Sequence, residues 1–133
     1  MAIILNIDTA TEHASVCLAD ESSILAYEES KEQKNHASFI QPAIDKICKD
    51  LKFDLNKIDA VAVSNGPGSY TGLRVSLSTA KGICYALQKP LITLNTLDVI
   101  AAAGFTEIKE KYEHQMPFLV CPMIDARRME VYT

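Results

Sequence analysis

Short apolar runs, bounded by polar or turn-forming residues, alternate with helical repeats along the chain. Three such runs, over residues 2–7, 15–20 and 23–30, predict three strands in hairpin succession. A β-branched run over 58–64 predicts a buried strand, and the residues LITL at 91–94 predict another. From residue 118 onward the pattern predicts two more strands around a polar turn.

Helical spacing of apolar residues predicts a first helix over residues 38–51. Ser38 and Gln41 have the spacing of a capping box at its start. Pro42 would then lie in the first turn, where a missing N–H group costs least.

A second helix is predicted over residues 71–88 and is stopped by Pro90. The apolar seam expected to cover the sheet consists of Leu73, Leu77, Ala80, Cys84 and Leu87. Two short helices are predicted over 98–103 and 105–112. Hairpin strands followed by strand–helix alternation predict an α/β fold with a mixed sheet covered by helices.

Composition narrows the class of protein. The chain has 133 residues, of which 48% are hydrophobic, so one compact domain is expected. With 13 basic and 17 acidic residues the net charge is −4, so we expect weak binding of nucleic acid by the chain alone. No apolar run approaches the length of a membrane span and no export signal is visible, so a cytoplasmic protein is expected. Isolated cysteines, without a Cys-x-x-Cys pair, are interpreted as reduced thiols.

The stretch SNGPGSYTGLRVSLSTAKG, residues 64–82, places a glycine-rich loop between the predicted strand and the second helix. It lacks the lysine of a Walker A loop, the glycine spacing of a dinucleotide fingerprint and the flanking glycines of a nucleophile elbow. Gly66 and Gly68 permit positive φ and close backbone approach, and Ser69 or Thr71 can cap the helix. Two interpretations remain open: a loop that presents N–H groups to an anion, and a tight connection that holds nothing.

The two main helices each carry a secondary strip besides the seam that faces the sheet. Small side chains predict a strip on the second helix at which another helix can approach closely, and an apolar strip is predicted on the first helix. The strips are expected to form a partner interface or to pack within the chain. Their residues are Phe39, Ala43 and Ile47 on the first helix and Ser76, Thr79, Gly82 and Ile83 on the second.

Three segments in this order, NIDTATEHASVCL, SNGPGSYTGLRVSLSTAKG and IDARRMEVYT, resemble the bacterial TsaB (YeaZ) family over the whole chain. Members of that family are inactive relatives of TsaD. The resemblance implies an actin-like ATPase (ASKHA) fold of two RNase H-like lobes, the first a mixed five-stranded sheet with flanking helices in βββαβα order. Residues 1–115 would form this lobe and residues 116–133 the first hairpin of a second, truncated lobe. The end of the sequence in mid-strand indicates a fragment of a longer protein.

The resemblance also implies a degraded nucleotide site. ASKHA kinases carry a D-x-G-x-S/T phosphate motif in the first hairpin, whereas Ala10 stands here at the glycine position. Catalytic relatives hold a metal through paired histidines, of which only His36 is present. We therefore expect no catalytic residue, no metal and no cofactor. The degraded phosphate loop would comprise Asp8, Thr9, Thr11, Gly66, Gly68, Ser69 and Gly72.

The function implied is that of a non-catalytic scaffold subunit for N6-threonylcarbamoyladenosine formation in tRNAs that read ANN codons. It would dimerise with and stabilise TsaD through the two main helices, with the ATPase TsaE joining them, tRNA bound only through the complex, and a homodimer possible in isolation. No membrane partner is expected. The alternatives are a nucleotide-dependent ASKHA enzyme and a glycoprotease. An independent RNA-binding module is disfavoured by the negative charge and by the lack of an aromatic–basic stripe.

Overall fold

The computed structural model describes residues 1–32, 35–112 and 119–133. Its centre is a five-stranded mixed sheet with strand order β3-β2-β1-β4-β5. β1 pairs antiparallel with β2, which pairs antiparallel with β3, whereas β1–β4 and β4–β5 are parallel pairs. The strands are β1 (Ile4–Asp8), β2 (Ala14–Ala19), β3 (Ile24–Ser30), β4 (Ala60–Ser64) and β5 (Leu91–Leu94). The predicted α/β fold and the mixed five-stranded sheet are confirmed.

The first helix, α1 (His36–Asp50), packs across β2 and β3 and begins two residues earlier than predicted. The predicted capping box is wrong, because Asn35 is the N-cap residue and the Ser38 hydroxyl donates back to the Asn35 carbonyl at 3.0 Å. Pro42 consequently lies in the second turn, where it cannot donate to the Ser38 carbonyl.

The second helix, α2 (Tyr70–Leu87), begins at the N-cap residue Ser69, whose hydroxyl accepts the Gly72 N–H at 3.3 Å. It ends before Gln88, which has left-handed backbone (φ 54°). The predicted seam was only partly right, since the buried line of α2 is Gly72, Ser76, Ala80 and Cys84. These side chains are small because the helix lies close against β4, all five residues of which are buried. The predicted leucines flank that line and are half-buried.

The hydrophobic core lies between the sheet and the two helices. Alternate residues of β1, β2 and β4 point into it, as the two-residue period of a strand requires. Side chains from the inner faces of α1 and α2 complete it. Its central members are Leu5, Ile7, Val16, Leu18, Ile40, Ile47, Val61 and Val63.

The third helix, α3 (Thr96–Lys111), is continuous, whereas the sequence predicted two short helices. Gly104 lies within it and costs about 1 kcal/mol relative to alanine, too little to break the helix. The Asn95 side chain caps its start by accepting the Leu97 N–H at 2.9 Å. Thr96 is its one buried residue, so α3 covers the second face of the sheet only lightly.

The last described segment contains the hairpin of β6 (Ile124–Arg127) and β7 (Glu130–Tyr132), which pair antiparallel. Arg128 and Met129 form its two-residue turn with positive φ angles of 54° and 62°. Residues 119–123 are not strand. The predicted strand start at 118 and the predicted lobe boundary at 115–116 lie outside the described residues. No helix in the described part of the chain is long and apolar enough to cross a membrane.

Candidate functional site

The glycine-rich loop between β4 and α2 packs against the turn that joins β1 to β2. The Ser69 N–H donates to the Ala10 carbonyl at 2.7 Å, and the Thr9 hydroxyl donates to the Gly72 carbonyl at 2.6 Å. On the other side of the loop, the Asn65 N–H donates to the Leu94 carbonyl at 2.7 Å. These backbone groups of the loop are thus bonded to the protein itself.

The three loop glycines are each required by a close approach of backbone. A Cβ atom on Gly66 would lie 2.8 Å from the Thr96 nitrogen. One on Gly68, which also has φ +155°, would lie 2.4 Å from the Ala10 carbonyl oxygen, and one on Gly72 would lie 2.1 Å from the Thr9 carbonyl oxygen. This is the geometry of a tight connection, the second of the two interpretations that the sequence left open.

Asp8 ends β1 and bonds to the adjacent strand. Its Oδ1 atom accepts the Ser64 hydroxyl at 2.5 Å and the Ala10 N–H at 2.9 Å. Ser64 ends β4, so the carboxylate joins the carboxyl ends of two parallel strands. Nearby, the Thr11 hydroxyl shapes the β1–β2 turn through contacts of 3.4 Å with His13. The predicted phosphate-loop residues therefore lie around one junction, where Thr9 and Ser69 contact Gly72 and the others bond mainly to neighbours such as Ala10 and Ser64.

A cavity of about 110 Å³ lies beside Asp8 on the face of the sheet opposite α1 and α2. Asn6, Ser15 and Ser64 provide its polar lining, together with Cys17. Burial raises the pKa of the Cys17 thiol, so this cysteine stays protonated over a wider pH range than an exposed one.

His36 has a positioning role that the sequence did not indicate. Its ring is 4% exposed, and Nε2 lies 3.1 Å from the Glu12 carbonyl oxygen. Nδ1 lies 3.2 Å from the point that a Cβ on Gly72 would occupy. His36 thereby ties the start of α1 to the β1–β2 turn and to α2. The sequence did not indicate this role because the helix was predicted to begin at residue 38, which left His36 outside it. Within 1–32, 35–112 and 119–133, no three His, Cys, Asp or Glu residues are grouped so that they could hold a metal ion.

A larger cleft, of about 730 Å³, lies between the β1–β2 turn, the start of α2 and the β6–β7 hairpin. The Oδ1 atom of Asp125 in β6 accepts the Arg127 N–H at 2.8 Å. Asp8 forms the same kind of turn, because its Oδ1 atom accepts the N–H of Ala10, also two residues further along the chain. The lining residues with polar side chains are Thr11, Glu12, Ser69, Tyr70, Thr71, Asp125, Arg127 and Tyr132.

The predicted partner strips are partly turned inward. Ala43, Ile47 and Ser76 are buried in the core, so these three side chains pack within the chain, the second of the two outcomes expected for the strips, and are not available to a partner. Phe39, Thr79 and Ile83 are half-buried. Gly82 is exposed, with nothing within 4 Å of a Cβ built on it.

The exposed side of α2 instead carries a stripe with two basic residues between two tyrosines, although the sequence analysis expected no aromatic–basic stripe. Tyr70 and Tyr85 are 73% and 83% exposed. The Arg74 guanidinium lies 5.4 Å from the centroid of the Tyr70 ring, and Nη1 donates to the tyrosine hydroxyl at 3.2 Å. The α2 stripe consists of Tyr70, Arg74, Ser78, Lys81 and Tyr85. The spacing i, i+4, i+8, i+11, i+15 of these residues places them on one side of a helix, so the sequence could have indicated the stripe.

Comparison with known proteins gives a consistent result. A family model described as TsaD, tRNA N6-adenosine threonylcarbamoyltransferase, matches residues 25–133. The tRNA threonylcarbamoyladenosine biosynthesis protein TsaB of Bacillus subtilis (strain 168) is 31% identical over 130 residues, an alignment covering 98% of this chain and 53% of TsaB. The chain thus spans about half the length of the curated relatives it matches.

Solved structures agree with the sequence matches. YeaZ from Pseudomonas aeruginosa superposes with a TM-score of 0.80 at 30% identity, covering 98% of this chain and 58% of YeaZ. RuvC of T. thermophilus, solved with a Holliday junction substrate, matches with a TM-score of 0.52 at 16% identity, over 90% of this chain and 84% of RuvC. That second likeness concerns the fold alone. The resemblance drawn from the three sequence segments is confirmed, and the chain belongs to the TsaD family and, within it, to the TsaB (YeaZ) group.

Proposed function

We propose that the chain takes part in tRNA threonylcarbamoyladenosine biosynthesis as a non-catalytic subunit that docks on TsaD and stabilises it. The threonylcarbamoyl transfer would be carried out by TsaD, with TsaE joining the assembly and tRNA bound only through the complex. The cytoplasm is the proposed setting. In this proposal, the β6–β7 hairpin begins a second lobe, as the shared turn of Asp8 and Asp125 supports.

The single observation that carries the proposal is the way the phosphate-loop residues use their polar groups. Asp8 is bonded to Ser64 and Ala10, and the Ser69 N–H is bonded to the Ala10 carbonyl. An anion-binding N–H group needs a free position for its ligand, and the Ser69 N–H has none because it is bonded to the Ala10 carbonyl. Here the polar groups of Asp8 and Ser69 stabilise the junction of β1, β4 and α2, a structural role that fits a non-catalytic subunit.

Reconstitution tests the role. TsaD and TsaE from the same genome are assayed for transfer of the threonylcarbamoyl group to an ANN-decoding tRNA, with and without the chain. We expect transfer to rise when the chain is added and to be undetectable with the chain alone. Transfer by the chain alone would contradict the proposal.

Docking is tested by co-purification with TsaD. Gly82→Arg adds a long side chain at an exposed position of α2 and is expected to weaken co-purification without unfolding the chain. Lys31→Glu, beyond the edge strand β3, is the control. Ala43 is unsuitable for such a test because it lies in the core. Unchanged pairing of Gly82→Arg would place the interface away from α2.

The second candidate is a nucleotide-dependent enzyme, and the 730 Å³ cleft favours it. Titration calorimetry with ATP and Mg²⁺ separates the two functions. A scaffold gives no heat at micromolar ATP, whereas a dissociation constant in that range followed by hydrolysis supports the enzyme.

A further inference from the structure

The cavity of about 110 Å³ beside Asp8 combines one charged group with a mainly apolar wall. The apolar wall includes Leu94 from β5 and Val99 from α3. Among the residues that the structure describes, Asp8 is the one charged residue that lines the cavity. The Asp8 cavity is the space lined by Asn6, Asp8, Ser15, Cys17, Leu94 and Val99.

The carboxylate of Asp8 has one oxygen that the protein leaves unbonded. Oδ1 accepts the Ser64 hydroxyl at 2.5 Å and the Ala10 N–H at 2.9 Å, whereas no donor in the described part of the chain bonds to Oδ2. No described lysine, arginine or histidine forms an ion pair with Asp8. Asp8 is half-buried beside apolar side chains, so its charge is partly desolvated and the protein provides no cation to balance it.

The Asn6 amide presents a second acceptor on the same face of the sheet. Its Nδ2 atom donates to the Ile4 and Cys17 carbonyls at 3.2 and 3.4 Å, so these two carbonyls fix which end of the amide carries the donors. Oδ1 is left as an acceptor that no described residue bonds. Asn6 and Asp8 are two residues apart in β1, so their side chains lie on one face.

The neighbouring strand β2 places a hydroxyl and a thiol opposite these two acceptors. Ser15 pairs directly with Asp8, and Cys17 pairs directly with Asn6. Directly opposite side chains of an antiparallel pair have Cβ atoms about 5 Å apart, so the four polar side chains form one compact block. Burial raises the pKa of the Cys17 thiol, so at neutral pH the thiol adds no second negative charge to the block.

We propose that the Asp8 cavity binds a small aliphatic primary ammonium group, with the ammonium on the free acceptors of Asp8 and Asn6 and the carbon chain against the apolar wall. An ammonium group has N–H donors, a positive charge and no acceptor, so it matches a site that offers one charged and one neutral acceptor. This inference goes beyond the proposed function. The cavity lies on the face of the sheet opposite α1 and α2, so neither proposal depends on the other.

The volume of the cavity limits the length of the amine. An apolar cavity of about 150 Å³ holds benzene, which has six non-hydrogen atoms, so about 110 Å³ accommodates about four or five. Propylammonium, with three carbon atoms and one nitrogen atom, has this size.

Other classes of ligand fit the same groups less well. Mg²⁺ and Ca²⁺ take about six or more oxygen ligands, whereas the Ser64 hydroxyl already donates to Asp8 and much of the wall is apolar. An anion would place its charge next to the Asp8 carboxylate, with no cation among the described lining residues to offset the repulsion. A neutral alcohol of the same shape leaves the Asp8 charge without a counter-charge.

The experiment titrates the isotope-labelled 133-residue chain with propylammonium chloride at neutral pH and constant ionic strength, and follows backbone amide shifts by nuclear magnetic resonance. Three further probes separate the contributions. 1-Propanol has the same length without the charge, tetramethylammonium is a cation without N–H donors, and potassium chloride supplies an inorganic cation.

The variants test the location of the site. Asp8→Asn removes the charge and keeps the size of the side chain. Asp54→Asn is the matched control, because Asp54 accepts the Asn56 N–H in the same kind of turn and does not line the cavity. Because Asp8→Asn also changes the bond to Ser64, Val99→Phe is a second test that fills the cavity from α3 and leaves that hydrogen bond in place. Circular dichroism melting checks that each variant folds.

We expect propylammonium to bind with a dissociation constant of about 1 mM, which is within reach of a ligand of four non-hydrogen atoms. The largest amide shifts should lie at residues 6–8 and 15–17. The three other probes are expected to bind at least about tenfold more weakly. Asp8→Asn and Val99→Phe should each raise the dissociation constant at least about tenfold, whereas Asp54→Asn stays within about twofold of the unmodified chain.

Four results overturn the inference. The first is the absence of amide shifts at propylammonium concentrations up to about 50 mM. The second is equally tight binding of 1-propanol, which means that charge is not recognised. The third is equally tight binding of tetramethylammonium or potassium, which means that N–H donors are not required. The fourth is a dissociation constant that neither Asp8→Asn nor Val99→Phe changes, which means that the amine binds elsewhere on the chain.

Discussion

Thr9 and Gly72 form the closest contact between the β1–β2 turn and α2. The Thr9 hydroxyl donates to the Gly72 carbonyl at 2.6 Å, and a Cβ on Gly72 would lie 2.1 Å from the Thr9 carbonyl oxygen. A Cβ at residue 72 would clash with backbone atoms of Thr9. A rotamer change cannot relieve such a clash, so the β1–β2 turn or α2 would have to move.

We therefore expect Gly72→Ala to lower the free energy of unfolding by about 3 kcal/mol. Gly82→Ala is the matched control, since Gly82 lies in the same helix with nothing within 4 Å of a Cβ; it should stabilise by about 1 kcal/mol. Urea denaturation followed by circular dichroism gives both values. Equal effects of the two substitutions would show that the Thr9 contact is absent in solution.

Two buried threonines make a second matched pair. Thr9 donates its hydroxyl to Gly72, whereas the Thr96 hydroxyl has no hydrogen-bond partner among the residues that the structure describes. We expect Thr9→Val to destabilise by about 1–2 kcal/mol and Thr96→Val to stabilise by about 1 kcal/mol, because valine removes an unsatisfied polar atom only at residue 96. Thermal and urea unfolding measure the difference. A destabilising Thr96→Val would mean that water or a shifted side chain satisfies that hydroxyl.

The hydrogen bond between Asp8 and Ser64 is expected to couple β1 to β4 energetically. Asp8→Asn, Ser64→Ala and the double variant form a cycle, and we expect a coupling energy of about 1–2 kcal/mol, since the bond is charge-assisted and partly buried. Thr11→Ala with Ser64→Ala is the control cycle and should be additive. Additivity in both cycles would contradict a stabilising role for the carboxylate.

Cysteine reactivity should follow exposure and pKa. Burial raises the pKa of Cys17, Cys48 and Cys84, so their reactive thiolates form at higher pH than in the unfolded chain, whereas Cys121 is exposed. At pH 8 we expect iodoacetamide to modify Cys121 first and Cys84 last. The labelling of Cys17, Cys48 and Cys84 should increase as the pH rises above 9. Peptide mass spectrometry over time measures the order. Early labelling of Cys84 would contradict the packing of α2 on β4.

Local signals in the sequence were sufficient for the five strands of the mixed sheet, and they left Ser69 and Thr71 as alternative caps of α2, of which Ser69 is the cap. They failed where a distant contact decides the outcome. A polar residue such as Ser76 is buried because small size, rather than hydrophobicity, lets α2 approach β4. The glycines of the loop were recognisable, but the groups that require them, such as the Thr9 and Ala10 carbonyls, lie about sixty residues away. The start of α1 was displaced because the serine expected to cap it bonds to the preceding backbone.

The packing around the glycine-rich loop limits how this motif can be used to recognise function. Each of its three glycines is fixed by backbone from another part of the fold, so any protein that assembles the same strands and helices is under the same steric constraint, whatever chemistry it performs. The glycines alone therefore indicate a packing arrangement, and assigning an activity needs residues outside the loop.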